Sequence, residues 1–270
     1  MQTVYFPRHK RQLTGTACGK ANCNMAAAAM YADRWSLGLI DRTSDELRTL
    51  SGTTWRCLNA TKADDGTTLG EAATALGRIG VPLATSRGWY DPVKWLSLIR
   101  GGGYGIVHGD YEFVPNWLSG DNEFDGIHSI ACLAHHTDVT FIDGSKGPGY
   151  LIGDGLDDGR ADYPSGERAP HGLVWWPEGI FNRYAGAYGW RIAAPPGLRF
   201  LRARDDYAYV RSTPSRVNAP LGRLTTQTLA HAGTVIGSAV AEDRRWYRVW
   251  WAAMGVIAYC HASVVREVPG

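Results

Sequence analysis

The amino-acid sequence predicts an α+β domain followed by a small all-β domain. In roughly the first two-thirds of the chain, helix-compatible segments come first and strand-like segments later, which is typical of helices packed on an antiparallel sheet. After the adjacent prolines Pro195 and Pro196, short strands alternate with turn residues, as in a small β-barrel. We therefore expect a first domain at residues 1–192 and a second domain at residues 193–270.

The composition of the 270-residue chain is that of an ordinary globular protein, with 44% hydrophobic and 20% charged residues. Its net charge is +2 and its Lys and Arg residues are scattered, so the charge does not indicate a nucleic-acid partner. No apolar run has the length of a spanning helix or of the core of a signal peptide. We expect no nucleic-acid partner, no membrane span and no export signal in this sequence.

The chain contains five cysteines, an odd number that does not indicate a disulfide framework in a protein of this length. They are Cys18, Cys23, Cys57, Cys132 and Cys260. At least one thiol should therefore be free.

The stretch ANCNMAAAAMYADRW predicts a helix that begins within one residue of Cys23, because asparagine favours caps and the following residues favour helix. A helix start places the sulfur beside backbone N–H groups without intrahelical acceptors and at the positive end of the dipole. Both features stabilise a thiolate, which makes Cys23 a candidate nucleophile. A buried cysteine that packs as a small hydrophobic residue is the alternative.

Later segments predict the remaining elements of the first domain. GTTLGEAATALGRIGV and DPVKWLSLIRGGG indicate helices, and YGIVHGDY, GIHSIACL and DVTFIDG indicate strands. Residues 148–168, rich in Gly, Asp and Pro, predict a long surface loop. Its carboxylates lack the spacing of a calcium loop, and no HExxH or paired CxxC occurs, so we expect no metal and no cofactor.

Two histidines, His108 and His128, lie in strand-like segments and are candidates for a general base. If the second and third strands form a hairpin that turns at His135 and His136, His128 lies directly opposite Asp143, with Cβ atoms about 5 Å apart. A carboxylate at that position would orient the imidazole toward a thiol. A His–Asp pair on a sheet surface without a catalytic role is the alternative.

These features together resemble the papain-like cysteine peptidases: a cysteine heads an Ala-rich helix, and a strand histidine and an aspartate follow. NCNMAAAAMYADRWSLG, GDYEFVP, FDGIHSI and FIDGSKG are most similar to the bacteriocin-leader (double-glycine) peptidase type and its relatives in phages of actinobacteria. The resemblance implies Cys23 as nucleophile, His128 as general base and acid, and Asp143 as the orienting group. Amidase and endopeptidase modules with a Cys–His pair are close competitors.

A second cysteine, Cys18, is the alternative nucleophile. Papain-like sites commonly use a glutamine six residues before the nucleophile as an oxyanion donor, and Gln12 has that spacing to Cys18 rather than to Cys23. The dipeptide CG is also similar to that of the bacteriocin-leader type. A helix from Cys18 would carry a glycine and two asparagines in its first two turns, at a cost of about 2 kcal/mol. We therefore favour Cys23, with Gln12 as an oxyanion candidate in either case.

The second domain resembles a bacterial SH3-type domain through YVRSTPS, GTVIGSAV, RRWYRVWW and GVIAYCHASVV. Such domains often bind cell-wall peptides or glycans, and some brace neighbouring domains. Together the two resemblances imply a phage peptidoglycan hydrolase, either an endolysin or a virion (tail) lysin, that cleaves amide bonds of wall peptides.

This interpretation implies that the partners are bacterial peptidoglycan and other phage tail proteins. It places the protein in the virion, or in the host cytoplasm before release to the wall. A structural tail-tip component with a peptidase-like scaffold and a processing peptidase that cuts a protein are the alternatives.

Overall fold

The computed structural model describes most of the chain, and the description below is confined to those residues. They are residues 7–12, 14–38, 40–58, 66–81, 87–100, 103–119, 124, 126–156, 173–188, 190–193, 199–225, 229–240, 242–251 and 256–268. Within them the chain divides into two compact units, one made of residues 7–34 and 40–193 and the other of residues 35–38 and 199–268. The protein is an α+β protein, as predicted.

Seven α-helices occur in the described residues. They are α1 (Cys23–Ser36), α2 (Ser44–Ser51), α3 (Thr54–Leu58), α4 (Leu69–Arg78), α5 (Pro92–Arg100), α6 (Asn116–Ser119) and α7 (Glu178–Tyr188). The predicted start of α1 at Cys23 is confirmed, and so are the helices predicted in the segments that form α4 and α5. Capping boxes stabilise the starts of α2 and α4, each formed by a threonine and the glutamate three residues later.

The first unit contains a six-stranded sheet in which all neighbouring strands are antiparallel. Its strands are β1 (Arg87–Gly88), β2 (Gly105–Asp110), β3 (Ile127–Thr140), β4 (Lys146–Asp154), β5 (Val174–Pro177) and β6 (Trp190–Ala193). Their order across the sheet is β1-β6-β2-β3-β4-β5, so β3 lies inside the sheet between β2 and β4.

Different helices cover the two faces of this sheet. Ile130 of β3 and Ile152 of β4 share a hydrophobic core with residues of α5 and α7. Gly153, the next residue of β4, faces the other side, where a Cβ atom would overlap Sδ of Met30 in α1. Helix α1 therefore packs directly on the backbone of the sheet, on the face opposite α5 and α7.

The predicted hairpin turn at His135 and His136 is wrong, because β3 continues through both residues to Thr140. The turn lies instead at residues 141–145, where Gly144 adopts a left-handed φ of 82°. Asp143 stabilises this turn by accepting hydrogen bonds from the N–H and the hydroxyl of Ser145, at 3.0 and 2.6 Å. Asp-Gly is a stronger turn signal than the histidine pair.

The predicted loop at residues 148–168 is wrong for its first part, since residues 148–154 belong to β4. The apolar run Tyr150, Leu151 and Ile152 is buried and pairs with both β3 and β5. Residues 157–168 of that prediction lie outside the described residues.

The second unit is a seven-stranded sheet with antiparallel neighbours. Its strands are β7 (Arg199–Ala203), β8 (Ala208–Arg211), β9 (Pro220–Leu224), β10 (Leu229–Val240), β11 (Asp243–Trp251), β12 (Val256–His261) and β13 (Val265–Val268). The order is β13-β7-β10-β11-β12-β8-β9, and the sheet does not close into a barrel in the part of the chain described.

Two further observations concern the boundaries predicted from sequence. The predicted domain boundary after residue 192 falls within β6, which pairs with β1 and β2 of the first sheet. No helix among the described residues combines the length and the apolar character needed to cross a membrane.

Candidate active site

Cys23 is the first residue of α1, and its side chain is partly exposed. The residue before it, Asn22, is buried and held by two side chains of α2. Asn22 Nδ2 donates to Asp45 Oδ1 at 2.7 Å, and Asn22 Oδ1 accepts from Arg48 Nη1 at 3.0 Å. Arg48 also donates to the carbonyl oxygen of Ala21. Helix α2 therefore fixes the segment that delivers the thiol.

His128, the second residue of β3, is fully buried and is oriented by a buried carboxylate. Its Nε2 lies 2.7 Å from Oδ1 of Asp154, the last residue of β4. The same oxygen accepts from the N–H of Leu156 at 2.9 Å, and the other carboxylate oxygen accepts from the hydroxyl of Tyr111. Both carboxylate oxygens of Asp154 are thus hydrogen bonded, as burial of a charged group requires.

The Cys23 thiol and the His128 imidazole are electrostatically coupled. Nδ1 of His128 is buried and has no hydrogen-bond partner among the described residues, so this nitrogen is open to accept the proton of the thiol. Burial raises the pKa of Cys23, but the influence of His128 and of the nearby backbone of Ser129 and Asn24 outweighs it and lowers the pKa below its usual value. Burial lowers the pKa of His128, but Asp154 and Cys23 outweigh it and raise the pKa above its usual value. The two directions favour a thiolate–imidazolium pair.

Aromatic side chains enclose the imidazole. The rings of Tyr111 and Phe124 lie edge-on to His128, with centroid distances of 4.9 and 5.9 Å. The hydroxyl of Tyr184 donates to the carbonyl oxygen of His128 at 2.7 Å. Gly109 pairs with His128 on β2, and a Cβ atom there would lie 2.6 Å from the Tyr184 ring. This packing holds the His–Asp pair in an apolar environment that strengthens their interaction.

The predicted pairing of His128 with Asp143 is wrong. Asp143 is exposed in the β3–β4 turn, and its carboxylate bonds to Ser145. The cause is the register, because β3 pairs with β4 so that Ile130 lies opposite Asp154. Asp154 is thereby a diagonal neighbour of His128 on the same face. Sequence reasoning missed Asp154, and the available signal was an aspartate two residues after the apolar run YLI.

Cys18 is not available as a nucleophile, because it forms a disulfide with Cys57. This disulfide, which the odd number of cysteines did not indicate, links the segment before α1 to α3. Three cysteines are free, which confirms the expectation of at least one free thiol. The remaining thiols of Cys132 and Cys260 are buried, and burial raises the pKa of both. Of the three free cysteines, Cys23 alone has a lowered pKa.

Gln12 lies close to the first turn of α1 and to the end of β4. Its backbone N–H donates to the carbonyl oxygen of Gly155 at 2.8 Å, and its side chain is buried. A Cβ atom at Gly155 would lie 2.8 Å from Ala26 and 3.2 Å from Gln12, so these three residues pack together. Gln12 therefore lies near the site, and its role as an oxyanion donor stays a prediction.

The site does not include a metal-binding cluster within the described residues, where no group of three or more His, Cys, Asp and Glu side chains is arranged to hold an ion. What the site contains is a thiol, an imidazole and a carboxylate in series.

Comparison with known proteins does not assign the chain to a family. No family model matches the chain. No curated protein matches it either. A solved structure described as "The crystal structure of Ly7917" is similar at 11% sequence identity, over 60% of this chain and 56% of that chain, with a TM-score of 0.20. The match thus spans little more than half of that protein.

Proposed function

We propose that the protein is a cysteine hydrolase of amide bonds in which Cys23 is the nucleophile, His128 the general base and acid, and Asp154 the orienting group. The observation that carries the proposal is the buried His128–Asp154 pair coupled to Cys23, with the pKa of the thiol lowered and that of the imidazole raised. A buried cysteine that merely packs has a raised pKa, as Cys132 and Cys260 do.

The geometry supports a two-step reaction through an acyl-enzyme. The Cys23 thiolate attacks the carbonyl carbon, forming a C–S bond and an oxyanion. The His128 imidazolium then gives its proton to the leaving nitrogen as the C–N bond breaks, and an amine departs. In the second step His128 takes a proton from water, the resulting hydroxide attacks the thioester, and the C–S bond breaks to return the thiolate and a carboxylic acid.

Oxyanion stabilisation requires donors close to the sulfur. The first backbone N–H groups of α1 have no acceptor within the helix and point toward its N-terminal end, where Cys23 lies. Gln12 packs against Ala26 in the same turn and is the side-chain candidate for a second donor. The helix dipole adds a favourable field for the negative charge.

The fold supports the assignment to a papain-like arrangement, in which a helix headed by the nucleophile packs on an antiparallel sheet that carries the base. The small all-β second unit supports an SH3-like module. A catalytic unit joined to a small β unit suits an enzyme that acts on a polymer, and we propose the peptides of bacterial peptidoglycan as the substrate. The Cys18–Cys57 disulfide fits a protein that acts outside a reducing cytoplasm.

We accordingly propose a phage peptidoglycan hydrolase that works as an endolysin or in a virion tail. The test is release of soluble amines from purified actinobacterial peptidoglycan by wild type, Cys23→Ala and Cys132→Ala. We expect release by wild type and by Cys132→Ala, which removes a buried thiol away from the site, and none by Cys23→Ala. Equal release by all three would contradict the thiol mechanism.

The same assay separates this proposal from a structural or processing role. A wild-type protein whose Cys23 is alkylated rapidly at neutral pH but that releases nothing from peptidoglycan would be a hydrolase of another amide substrate. A Cys23 as unreactive as an ordinary thiol would indicate a scaffold.

A further inference from the structure

A chain of buried hydrogen bonds runs behind the nucleophile and takes no part in the reaction proposed above. Asn24, the residue after Cys23, donates through Nδ2 to the carbonyl oxygen of Thr67. Asn24 Oδ1 lies 2.6 Å from the hydroxyl of Ser129, and that hydroxyl lies 2.7 Å from Nδ1 of His108. Asn24 and Ser129 are at most 1% exposed.

The direction of each hydrogen bond follows from the chemistry of its partners. The carbonyl of Thr67 only accepts, so Asn24 must present its NH₂ group there and its oxygen to Ser129. The Ser129 hydroxyl therefore donates its one hydrogen to Asn24, and its lone pair must accept from Nδ1–H of His108. His108 is neutral, because burial and the charge of His128 lower its pKa to about 4.

Ser129 connects the two sides of the site. It follows His128 in β3, pairs with His108 of β2, and bonds to the first turn of α1 through Asn24. Asn24 directly follows Cys23 and Ser129 directly follows His128, so the hydrogen bond between their side chains joins the neighbour of the nucleophile to the neighbour of the base.

We propose that Ser129 is a positioning residue for the nucleophile, whose hydroxyl clasps the first turn of α1 to β3 and so holds Cys23 in place relative to His128. The proposal rests on the proposed function and adds a component to that site. Without the hydroxyl, Asn24 loses the partner of its oxygen and His108 the partner of its Nδ1–H. The end of the helix then moves relative to β3, and the influence of His128 on the thiol weakens.

The test is the pH dependence of Cys23 alkylation by iodoacetamide, with the modified residue identified by mass spectrometry. In Ser129→Ala we expect the apparent pKa of Cys23 to rise by about half a unit to one unit, the effect of weakening one or two hydrogen bonds. We expect kcat to fall about tenfold with little change in KM, since the substrate contacts remain. Ser129→Thr, which keeps the hydroxyl, should restore most of both values.

Ser119→Ala is the matched control, because Ser119 is also buried in the first unit but belongs to α6 and lies outside this chain of hydrogen bonds. It should leave the alkylation profile of Cys23 unchanged. An unchanged profile in a folded Ser129→Ala variant, or an equal shift in Ser119→Ala, would overturn the proposal. If Ser129→Ala does not fold, His108→Ala replaces it, since His108 is less buried than Ser129. We expect a smaller shift in the same direction, and its absence would overturn the proposal.

The two proposals fail separately. A wild-type protein that cleaves amides while Ser129→Ala keeps the wild-type profile contradicts the positioning role alone. A wild-type protein that cleaves no amide, but whose Cys23 pKa still depends on the Ser129 hydroxyl, contradicts the hydrolase alone.

Discussion

Nε2 of His128 lies 2.7 Å from Oδ1 of Asp154, a residue 26 positions further along the chain. This contact, and not one with the nearer Asp143, orients the imidazole. It also fixes the tautomer, because a carboxylate accepts the proton of Nε2 and leaves Nδ1 for the thiol.

Removal of the Asp154 carboxylate should impair catalysis far more than removal of Asp143. We expect Asp154→Ala to lower kcat by about a hundredfold or more, because His128 loses both its orientation and the charge that stabilises its protonated form. Asp143→Ala is the control and should stay within about twofold of wild type, since Asp143 only stabilises a turn. Steady-state kinetics on a peptide amide substrate decides between them, and comparable losses in both variants would contradict the assignment.

The pH dependence of kcat/KM should be bell-shaped. The acid limb reports deprotonation of Cys23, whose pKa is lowered, and the alkaline limb reports deprotonation of His128, whose pKa is raised. The acid limb should therefore lie below the usual pKa of a thiol, and the alkaline limb near pH 9, since the pKa of His128 is raised to about 9. In Asp154→Asn the raising effect of the carboxylate on His128 is lost, so the alkaline limb should move to lower pH. An alkaline limb that does not move would contradict this role of Asp154.

His108 should make the protein less stable in mild acid. Its folded pKa of about 4 lies below the usual value of 6.5, so between these two pH values the unfolded chain binds a proton that the folded chain does not. The free energy of unfolding should therefore fall as pH drops from 6.5 to 4, by up to about 3 kcal/mol from this residue. Urea unfolding of wild type and of His108→Gln at pH values across this range measures how far the free energy of unfolding falls. The fall should be smaller in the variant.

The disulfide should stabilise the fold without serving the chemistry. Its cysteines are 39 residues apart in the chain, and a loop of that length corresponds to about 3–4 kcal/mol of unfolding free energy. We expect the double variant Cys18→Ser, Cys57→Ser to have a lower Tm and to retain amidase activity at low temperature. Loss of amide cleavage in this variant, while it is still folded and Cys23 is still alkylated, would mean that Cys18 takes part in the reaction.

Gly109→Ala should disturb the base, His128, by displacing Tyr184. A methyl group there would lie 2.6 Å from the ring of Tyr184, whose hydroxyl donates to the carbonyl oxygen of His128. Displacement of Tyr184 should lower both Tm and kcat, since overpacking of a core commonly costs about 1–3 kcal/mol. Gly179→Ala, at an open position of α7, is the control and should leave both unchanged.

Local sequence signals predicted the helix and the strand of the site well. They predicted poorly which residues of different strands lie opposite each other. The start of α1 at Cys23 depends on capping preferences that act within a few residues, and His128 lies on a strand whose apolar residues are visible in the sequence. The partner of His128 depends on strand register, and a turn placed a few residues too early selected Asp143.

The disulfide and the hydrogen-bond chain through Ser129 could not be predicted from the sequence for a similar reason. Cys18 and Cys57 meet because α3 packs beside the segment before α1, which is a tertiary contact. His108 and Ser129 become neighbours only once β2 and β3 are paired in register. Chain spacing alone carries no information on either contact.

The contact between Met30 and the bare backbone of Gly153 sets how far α1 stands from the sheet. The distance between the nucleophile and the base therefore depends on a contact at Met30, two turns along α1 from Cys23, where there is no reacting group. A methyl group added at Gly153 would push against Met30 and tilt α1. Substitutions in the hydrophobic core can therefore change the reactivity of the Cys23 thiol.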